Sequence, residues 1–481
     1  MTAGIRQQFN RPAGSLAYAD KFALSRARPS HWLALMAMFV TITTFSLLMS
    51  ETHFLIGNPI ANAVRFGSLS LLAVMIAFRP RNRFALRKPK LLDGFALTFC
   101  ALAFSSMLYS ADPSLTVLRA ASATLLYAAV FWTLWFYADV GGGQKIASIL
   151  VGCVAVIFVA GIFNLLMAGP DAMLSGRFRG LLANPNAVGM LTILFLPLVL
   201  AMVMRTKRLS GYLLIAIMLG SVVLSGSRNG VMTTSVGMAF FALRIKAWKS
   251  GILLITICAA SYLAMPDYSP APGVAAKPIS HILSSDKLAN GGGRLEAWQV
   301  AIPIIQNNLA LGHGFGTEEL IFKGMKFRIH RGEYIHNSYL GLTYQLGLAG
   351  SLMLFIPLIG LLIYRLMGHG FRSPQTAAYE AMLFGGLIAA FFESWVYSAG
   401  NAFAFPFWTC VMLLTRASMG APDTNDPLPP PKRPTTVRSY TPMRSLSPAS
   451  GPVRGLVPVA SNPAGVTRPN PRRFDPPARE D

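Results

Sequence analysis

The chain has 481 residues, of which 53% are hydrophobic and only 13% are charged. A soluble domain carries roughly a quarter charged residues, so this composition excludes an ordinary soluble protein and predicts an all-α polytopic membrane protein. The formal net charge of +23 predicts contact with anionic membrane lipid through basic loops and tails, and nucleic acid is not an expected partner. The four cysteines all lie in apolar stretches, which argues against a disulfide framework and against a zinc site.

Apolar stretches of membrane-spanning length recur along most of the chain. Residues 1–30 are polar and basic, and we interpret them as a cytoplasmic N-terminal segment rather than a removable leader. The membrane domain then covers residues 31–418. We predict about twelve spans, at residues 32–50, 58–78, 91–109, 114–137, 146–168, 187–204, 210–226, 229–246, 250–265, 337–364, 377–397 and 401–418.

The positions of lysine and arginine predict the orientation of these spans. The loops after every second span are basic, as in residues 79–90, 205–210 and 243–250, and only residues 138–145 are weakly so. Basic loops stay on the cytoplasmic side of a bacterial inner membrane. Both termini of this multi-pass chain are therefore predicted to be cytoplasmic.

Two segments depart from the short-loop pattern. Residues 266–336 form one long loop, which the topology places in the periplasm. Residues 419–481 are rich in proline and arginine and predict a disordered cytoplasmic tail. The sequence PPPKRP (429–434) fits a polyproline helix that binds a partner, and a merely solvated basic tail is the alternative.

Six arginines lie at or near the outer ends of the spans, against the usual cytoplasmic bias. A single one would be explained by snorkelling to lipid headgroups, and that alternative stays open for Arg65. As a set they predict an anionic ligand, because the guanidinium fork matches phosphate oxygens two at a time. A lipid-linked pyrophosphate lies at this depth. The six are Arg65, Arg119, Arg177, Arg179, Arg228 and Arg294.

The long loop contains a helical pattern in GGGRLEAWQVAIPIIQNNLALGHGFG (291–316). Its apolar residues recur at spacings of three and four, which predicts one stripe on a helix. Either this helix lies in the outer membrane interface, or it packs within a small external domain. The glycine turn at 312–316 predicts a close approach of backbone to a ligand. The stripe consists of Leu295, Trp298, Ile302, Ile305 and Leu309.

Polar residues stand where the chain re-enters the membrane, in RGEYIHNSYLG (331–341). His336 suits a general base at neutral pH, and Glu333, three residues earlier, would orient its imidazole. Asn337 either contributes to substrate binding or caps a helix start. Glu393 lies near the outer end of the eleventh predicted span, where a carboxylate either pairs with an arginine or takes part in chemistry.

Four segments in this order resemble the O-antigen ligase and polymerase superfamily of Wzy-type proteins. They are RFRGLLANPNAVG, LSGSRNG, GRLEAWQVAIPIIQNNLALGHGFG and HNSYLGLTYQLGLAG. The resemblance covers residues 30–418. Within the superfamily the chain is most similar to exopolysaccharide polymerases of the succinoglycan (ExoQ) type.

The resemblance implies a GT-C-like, inverting glycosyltransferase that needs no metal and no other cofactor. Its substrate would be undecaprenyl-pyrophosphate-linked oligosaccharide, polymerised into exopolysaccharide at the periplasmic face, with a polysaccharide co-polymerase that regulates chain length as partner. It implies His336 as catalytic base and Arg228 and Arg294 as the arginines that hold the pyrophosphate, with Arg177 and Arg179 as further substrate-binding residues.

Other functions remain open at this point. A ligase of the same superfamily would move the lipid-linked glycan to another acceptor. A polysaccharide transporter or flippase is another alternative, although such proteins commonly contain two related halves and the halves of this chain are unrelated. A non-catalytic assembly subunit is a further alternative, which only the basic proline-rich tail indicates.

Overall fold

The computed structural model describes residues 59–78, 87–141, 143–174, 176–182, 184–247, 294–323, 334–369, 373–401 and 403–419. The predicted first and ninth spans, the N-terminal segment and the tail beyond residue 419 lie outside the described residues, as does Glu333.

The described residues are almost entirely helical. The strands among them form one short antiparallel hairpin of β1 (Met173–Leu174) and β2 (Arg177–Phe178). The helices are α1 (Pro59–Val74), α2 (Leu91–Ser105), α3 (Pro113–Tyr127), α4 (Trp135–Gly141), α5 (Gly143–Ala168), α6 (Pro185–Thr206), α7 (Leu209–Leu224), α8 (Arg228–Arg244), α9 (Arg294–Asn307), α10 (Ser338–Leu366), α11 (Pro374–Ala389) and α12 (Ala404–Ser418). A π-helical stretch, Ala128–Leu134, joins α3 to α4.

Five helical segments are long and apolar enough to cross a membrane. The others that coincide with predicted spans have 15 to 17 residues, which is about 23 to 26 Å of helix. The chain is therefore an all-α polytopic membrane protein, and the number of twelve spans stays a prediction. The five segments are Leu91–Leu108, Pro113–Asp139, Gly143–Met167, Pro185–Thr206 and Ser338–Leu366.

Short polar side chains determine where five helices begin. Each accepts a hydrogen bond from a backbone N–H in the first turn of its helix, which satisfies a donor that the helix leaves unpaired. Proline follows three of these caps, at the position where its missing N–H costs nothing. The capping residues are Asp112, Asn184, Ser227, Asn337 and Ser373.

Helix α6 lies at the centre of the bundle, packed against α7, α8 and α11. Its sequence is apolar on every side, and a helix of this kind is stable only where neighbours cover it completely. Leu191, Ile193, Leu194 and Phe195 are fully buried. Helices α6 and α8 approach closely near their starts, because Gly189 and Gly230 bring the two backbones together without side chains between them.

The packing of α8 on α11 places the start of α8 beside the end of α11. Gly237 lies next to the backbone of Ala381, and the two helices run in opposite directions. At 1.5 Å per residue, nine residues back along α8 and nine forward along α11 bring Arg228 to the level of Ala390. We call this the His336 end of the bundle, and the opposite end of these helices the Glu380 end.

Helix α10 is broken near its beginning. Gly347 has φ +62° and ψ −166°, which is not helical. A side chain at Gly347 would collide with the carbonyl of Ala310, and Leu348 N–H bonds to Leu309 O at 2.8 Å. The loop after α9 therefore fills the break and satisfies its backbone groups, as irregular backbone inside a membrane protein requires.

Candidate active site

Three charged or titratable side chains meet at the His336 end. His336 Nδ1 lies 2.9 Å from Glu393 Oε2, and Arg294 Nη2 donates to Glu393 Oε1 at 3.0 Å. Arg294 Nε also donates to the carbonyl of Phe392 at 3.0 Å. The three side chains remain 30%, 20% and 21% exposed for histidine, glutamate and arginine respectively, so the cluster is partly shielded and still reachable from outside.

The backbone of His336 has an unusual conformation. Its φ is +53°, in the left-handed region that side-chain-bearing residues rarely adopt and that costs about 1 to 3 kcal/mol. Such strain persists only where the surroundings enforce it, and it is typical of functional sites. The neighbours of His336 in the chain, Ile335 and Asn337, are both buried.

The environment of Glu393 favours its ionised form. Burial acts to raise its pKa, but the hydrogen bonds and charges of His336 and Arg294 outweigh burial and lower the pKa below the usual glutamate range. An ionised carboxylate next to Nδ1 selects the tautomer in which Nδ1 carries the proton. The lone pair of the neutral imidazole is then on Nε2, which is the arrangement of a general base with an orienting carboxylate.

The segment after α11 carries Glu393 and is not helical. The eleventh span was predicted to run to residue 397, but α11 ends at Ala389, and Glu393 lies in the turns that follow. The reason is that this backbone pairs with the start of α10 instead of with itself. Ser338 N–H donates to Ala390 O at 2.7 Å, Ser338 Oγ donates to Glu393 O at 2.6 Å, and Trp395 N–H donates to Ser338 Oγ at 3.0 Å.

Two further residues were predicted beside His336. Glu333 lies outside the described residues, so its role as the orienting carboxylate stays a prediction, and the carboxylate that contacts the imidazole among the described residues is Glu393, 57 positions along the chain. Asn337 is buried, and its side-chain oxygen accepts from Tyr339 N–H at 2.9 Å and Leu340 N–H at 3.1 Å. Asn337 therefore caps the start of α10, and its contribution to substrate binding stays a prediction.

Arg119 joins the neighbourhood of His336 through another carboxylate. Its Nη2 lies 2.8 Å from Glu319 Oε1, and Tyr334 donates its hydroxyl to Glu319 Oε2 at 3.1 Å. Arg119 therefore supports the loop that leads to His336, and part of its charge is neutralised by Glu319.

Arg177 and Arg179 contact a different part of the bundle. Arg177 donates to Ser225 O at 2.8 Å and to Asn186 Oδ1 at 2.9 Å. It thus joins the first turn of α6 to the segment just before α8. Arg179 donates twice to the carbonyl of Asp171, at 3.0 and 3.2 Å, within its own loop.

Arg228 is the first residue of α8 and follows the capping residue Ser227. Arg65 lies in the second turn of α1. The side chains of both arginines lie outside the described part of the molecule. The backbone position of Arg228, level with Ala390, puts it at the same end of the bundle as Glu393.

The glycine turn at 312–316 packs closely on other protein segments. Gly312, Gly314 and Gly316 all have positive φ values of +73°, +108° and +86°. A Cβ atom at each would collide with α10, with Ser110 or with Arg119. The glycines are therefore required for close contact between protein segments, and the approach of this backbone to a ligand stays a prediction.

The helix predicted at the start of 291–316 is present as α9. Three residues of its predicted stripe, Leu295, Ile302 and Leu309, are 40% to 45% exposed. The face packed on protein consists of Ala297, Ala301 and Ile305, which meet the cluster around Ile335, because small alanine side chains allow α9 to lie close to its neighbours. The helix thus has one face packed on protein and one exposed apolar face, and its place in the outer membrane interface stays a prediction.

Two residues that the sequence patterns did not indicate are Glu318 and Ser394. The carboxylate of Glu318 is buried beneath the cluster, and Ser394 Oγ donates to its Oε1 at 2.6 Å. A glutamate after a glycine-rich turn is a weak signal in a sequence. Within the described residues, no group of three His, Cys, Asp or Glu side chains is arranged to hold a metal ion.

Comparison with known families finds one match. Residues 213–355 match the family described as O-Antigen ligase. The matched part begins in α7 and ends within α10, so it contains Arg228, Arg294 and His336. No curated protein matches the chain. The family match supports the assignment of the chain to the O-antigen ligase and polymerase superfamily, while the succinoglycan-type subclass stays a prediction.

Proposed function

We propose that the chain transfers a glycan from a polyprenyl pyrophosphate to a sugar hydroxyl, because residues 213–355 match the family described as O-Antigen ligase and this family acts on lipid-linked glycans. The finer proposal is polymerisation. The acceptor is then the non-reducing end of a second lipid-linked repeat unit, and the product is exopolysaccharide growing on undecaprenyl pyrophosphate at the periplasmic face of the inner membrane.

The observation that carries this proposal is the contact of His336 with Glu393 and of Glu393 with Arg294. With Nδ1 directed at the carboxylate, Nε2 is the atom that accepts the proton of the acceptor hydroxyl. Glu393 stabilises the imidazolium that results, as an orienting carboxylate does beside a histidine base.

The remaining chemistry follows from the charge that develops at the leaving group. The acceptor oxygen forms a bond to the anomeric carbon of the donor glycan while the bond from that carbon to the pyrophosphate breaks, with inversion. Both electrons of the broken bond go to the diphosphate. Arg228 and Arg294 stabilise this negative charge more in the transition state than in the ground state.

The backbone around Arg228 supports an anion-binding role. The starts of α6 and α8 lie side by side where Gly189 meets Gly230, and Arg177 joins the same two segments. Helix N-termini carry partial positive charge and backbone donors. Two of them beside the guanidinium group of Arg177 favour a diphosphate at this place.

A ligase that transfers the glycan to a different acceptor is the second candidate, and the match to a family described as O-Antigen ligase favours it. Both candidates use the same base and the same leaving group, and they differ only in the acceptor.

The experiment is a transfer assay with the full chain in proteoliposomes. The donor is an oligosaccharide repeat unit on undecaprenyl pyrophosphate, and the measurements are release of undecaprenyl pyrophosphate and the size of the carrier-linked glycan. Lengthened glycan on the carrier with release of the lipid supports polymerisation. Release that occurs only when another acceptor is added supports the ligase.

Movement of intact lipid-linked glycan across the bilayer without any release would overturn the proposal in favour of transport. The control is a preparation with His336→Ala, which we expect to insert into the membrane and to release no lipid pyrophosphate above background.

A further inference from the structure

Glu318 is a buried carboxylate with four hydrogen-bond donors around it. Only 3% of the residue is exposed. Its Oε1 accepts from Ile335 N–H at 2.9 Å and from Ser394 Oγ at 2.6 Å, and its Oε2 accepts from the hydroxyl of Tyr397 and from Gln345 Nε2 at 3.3 Å. Burial raises the pKa of Glu318, and the bonds from Ser394, Tyr397 and Ile335 oppose that rise.

These bonds hold the backbone on both sides of His336. Glu318 binds the amide of Ile335 directly. The amide of Asn337 donates to Ser394 Oγ at 3.1 Å, and the same hydroxyl donates to Glu318. One carboxylate thus fixes the residue before His336 and, through Ser394, the residue after it.

The same carboxylate also holds the segment that carries Glu393. Ser394 follows Glu393 directly, and Tyr397 lies three residues further along the same turns. The chain segments that provide the imidazole and its carboxylate partner are therefore tied to one buried group, which lies in neither of them.

We propose that Glu318 is a positioning residue for the base. It holds His336 in its left-handed backbone conformation and so aims the imidazole at Glu393. The inference rests on the proposed function, since it assumes that His336 is the base. It assigns a role to a carboxylate that touches neither the substrate nor the reacting atoms.

The main test is Glu318→Gln in the proteoliposome assay. The amide replaces one acceptor oxygen with an NH₂ group, which then faces either Ile335 N–H or Gln345 Nε2, and both of these groups donate in the wild type. We expect kcat to fall on the order of 100-fold, as misplacement of a catalytic group by about 1 Å does. KM for the lipid-linked donor should stay close to the wild-type value, because the arginines are untouched.

A double variant separates positioning from general destabilisation. If Glu318 acts through His336, adding Glu318→Gln to His336→Ala should change the residual activity per folded protein by no more than about twofold. A further loss as large as in the single variant would show that Glu318 acts elsewhere, and it would overturn the inference.

Two hydroxyl donors to the same carboxylate provide a matched pair. Ser394→Ala removes the bridge to the amide of Asn337 and should lower kcat in the same direction as Glu318→Gln. Tyr397→Phe also removes one hydroxyl from Glu318, but that hydroxyl accepts no hydrogen bond from the amide of Ile335 or Asn337, which bind Glu318 and Ser394 instead. We expect Tyr397→Phe to lower kcat less than Ser394→Ala does. Equal losses in both variants would contradict positioning.

The single variants also distinguish this inference from the proposed function. Wild-type kcat in His336→Ala would show that His336 is not the base, and it would overturn both the proposed function of this residue and the inference about Glu318. Loss of activity in His336→Ala, together with wild-type kcat in Glu318→Gln and Ser394→Ala, would overturn the positioning role alone.

Discussion

Each end of the helix bundle contains one glutamate shared by two basic side chains. At the Glu380 end, Arg244 Nε and Arg365 Nε bind the two oxygens of Glu380, the second at 2.7 Å. At the His336 end, Glu393 is shared in the same way. The side chains of Arg365 and Glu380 are 0% and 2% exposed, compared with 30% for His336.

The difference between the two clusters lies in what their members are able to do. The Glu380 cluster joins α8, α10 and α11, and its arginines also donate to the carbonyls of Arg365 and His369. Its arginines offer hydrogen-bond donors and no acceptor, so it functions as a structural connection. The cluster around His336 contains an imidazole, whose ring nitrogens can both donate and accept, together with a strained backbone and access from outside. Similar charge sharing therefore serves packing at one end and proposed catalysis at the other.

The largest expected effect distinguishes a catalytic role at the His336 end from a structural role at the Glu380 end. His336→Ala should reduce transfer by about 10² to 10⁴-fold, as loss of a general base does, with little change in thermal unfolding. Glu380→Ala leaves the buried Arg365 and the half-buried Arg244 without their carboxylate, which costs about 3 to 5 kcal/mol, and should instead reduce the yield of folded protein. The measurements are transfer rate per folded protein and melting temperature in detergent. A stable, inactive Glu380→Ala protein would break the comparison.

The next effect concerns the leaving group. Arg228→Ala should reduce transfer by about 10² to 10³-fold, because removal of one donor to a developing charge typically costs this much. Arg228→Lys should restore little of the rate if both guanidinium donors bind the pyrophosphate, since an ammonium group offers no fork. Arg208→Ala is the control, as Arg208 lies at the opposite end between α6 and α7. Wild-type product lengths with Arg228→Ala would contradict the assignment.

The smallest effect is a pH dependence of stability. The pKa of Glu393 is lowered in the folded protein, so its ionisation stabilises the fold above the ordinary glutamate pKa of 4.5, and this contribution is lost as the pH falls through the lowered value. The melting temperature of the wild type should therefore exceed that of Glu393→Gln at neutral pH. The difference should shrink in acid below pH 4.5. A difference that stays constant down to strongly acidic pH would argue against an ionised Glu393.

Much of the fold was predictable because its causes are local. The span predicted at 91–109 appears as Leu91–Leu108, and that at 187–204 lies inside Pro185–Thr206. Apolar composition and a nearby cap are enough to determine such a helix. The eleventh span was predicted too long because the residues after Ala389 are apolar enough for a helix, while their hydrogen bonds go to α10.

The candidate site was predictable only in part. His336 and Arg294 stand out in the sequence as polar residues beside apolar segments, and their meeting through Glu393 is a result of the fold. Glu318 gave only a weak signal, since its partners lie up to 79 residues away in the chain. A hydrogen-bond network over such separations is a property of packing and has no period in the sequence.

By itself, the sequence determined that this chain is an all-helical membrane protein and where several of its helices begin. It also determined which charged side chains are energetically costly at the membrane boundary. Composition, helix caps and the energetic cost of charge in lipid act over a few residues. Only the tertiary structure decided that Glu393 orients His336, that Glu318 lies beneath both, and that the glycine turn packs on protein. Those outcomes depend on which distant segments meet, and the packing of the whole bundle selects them.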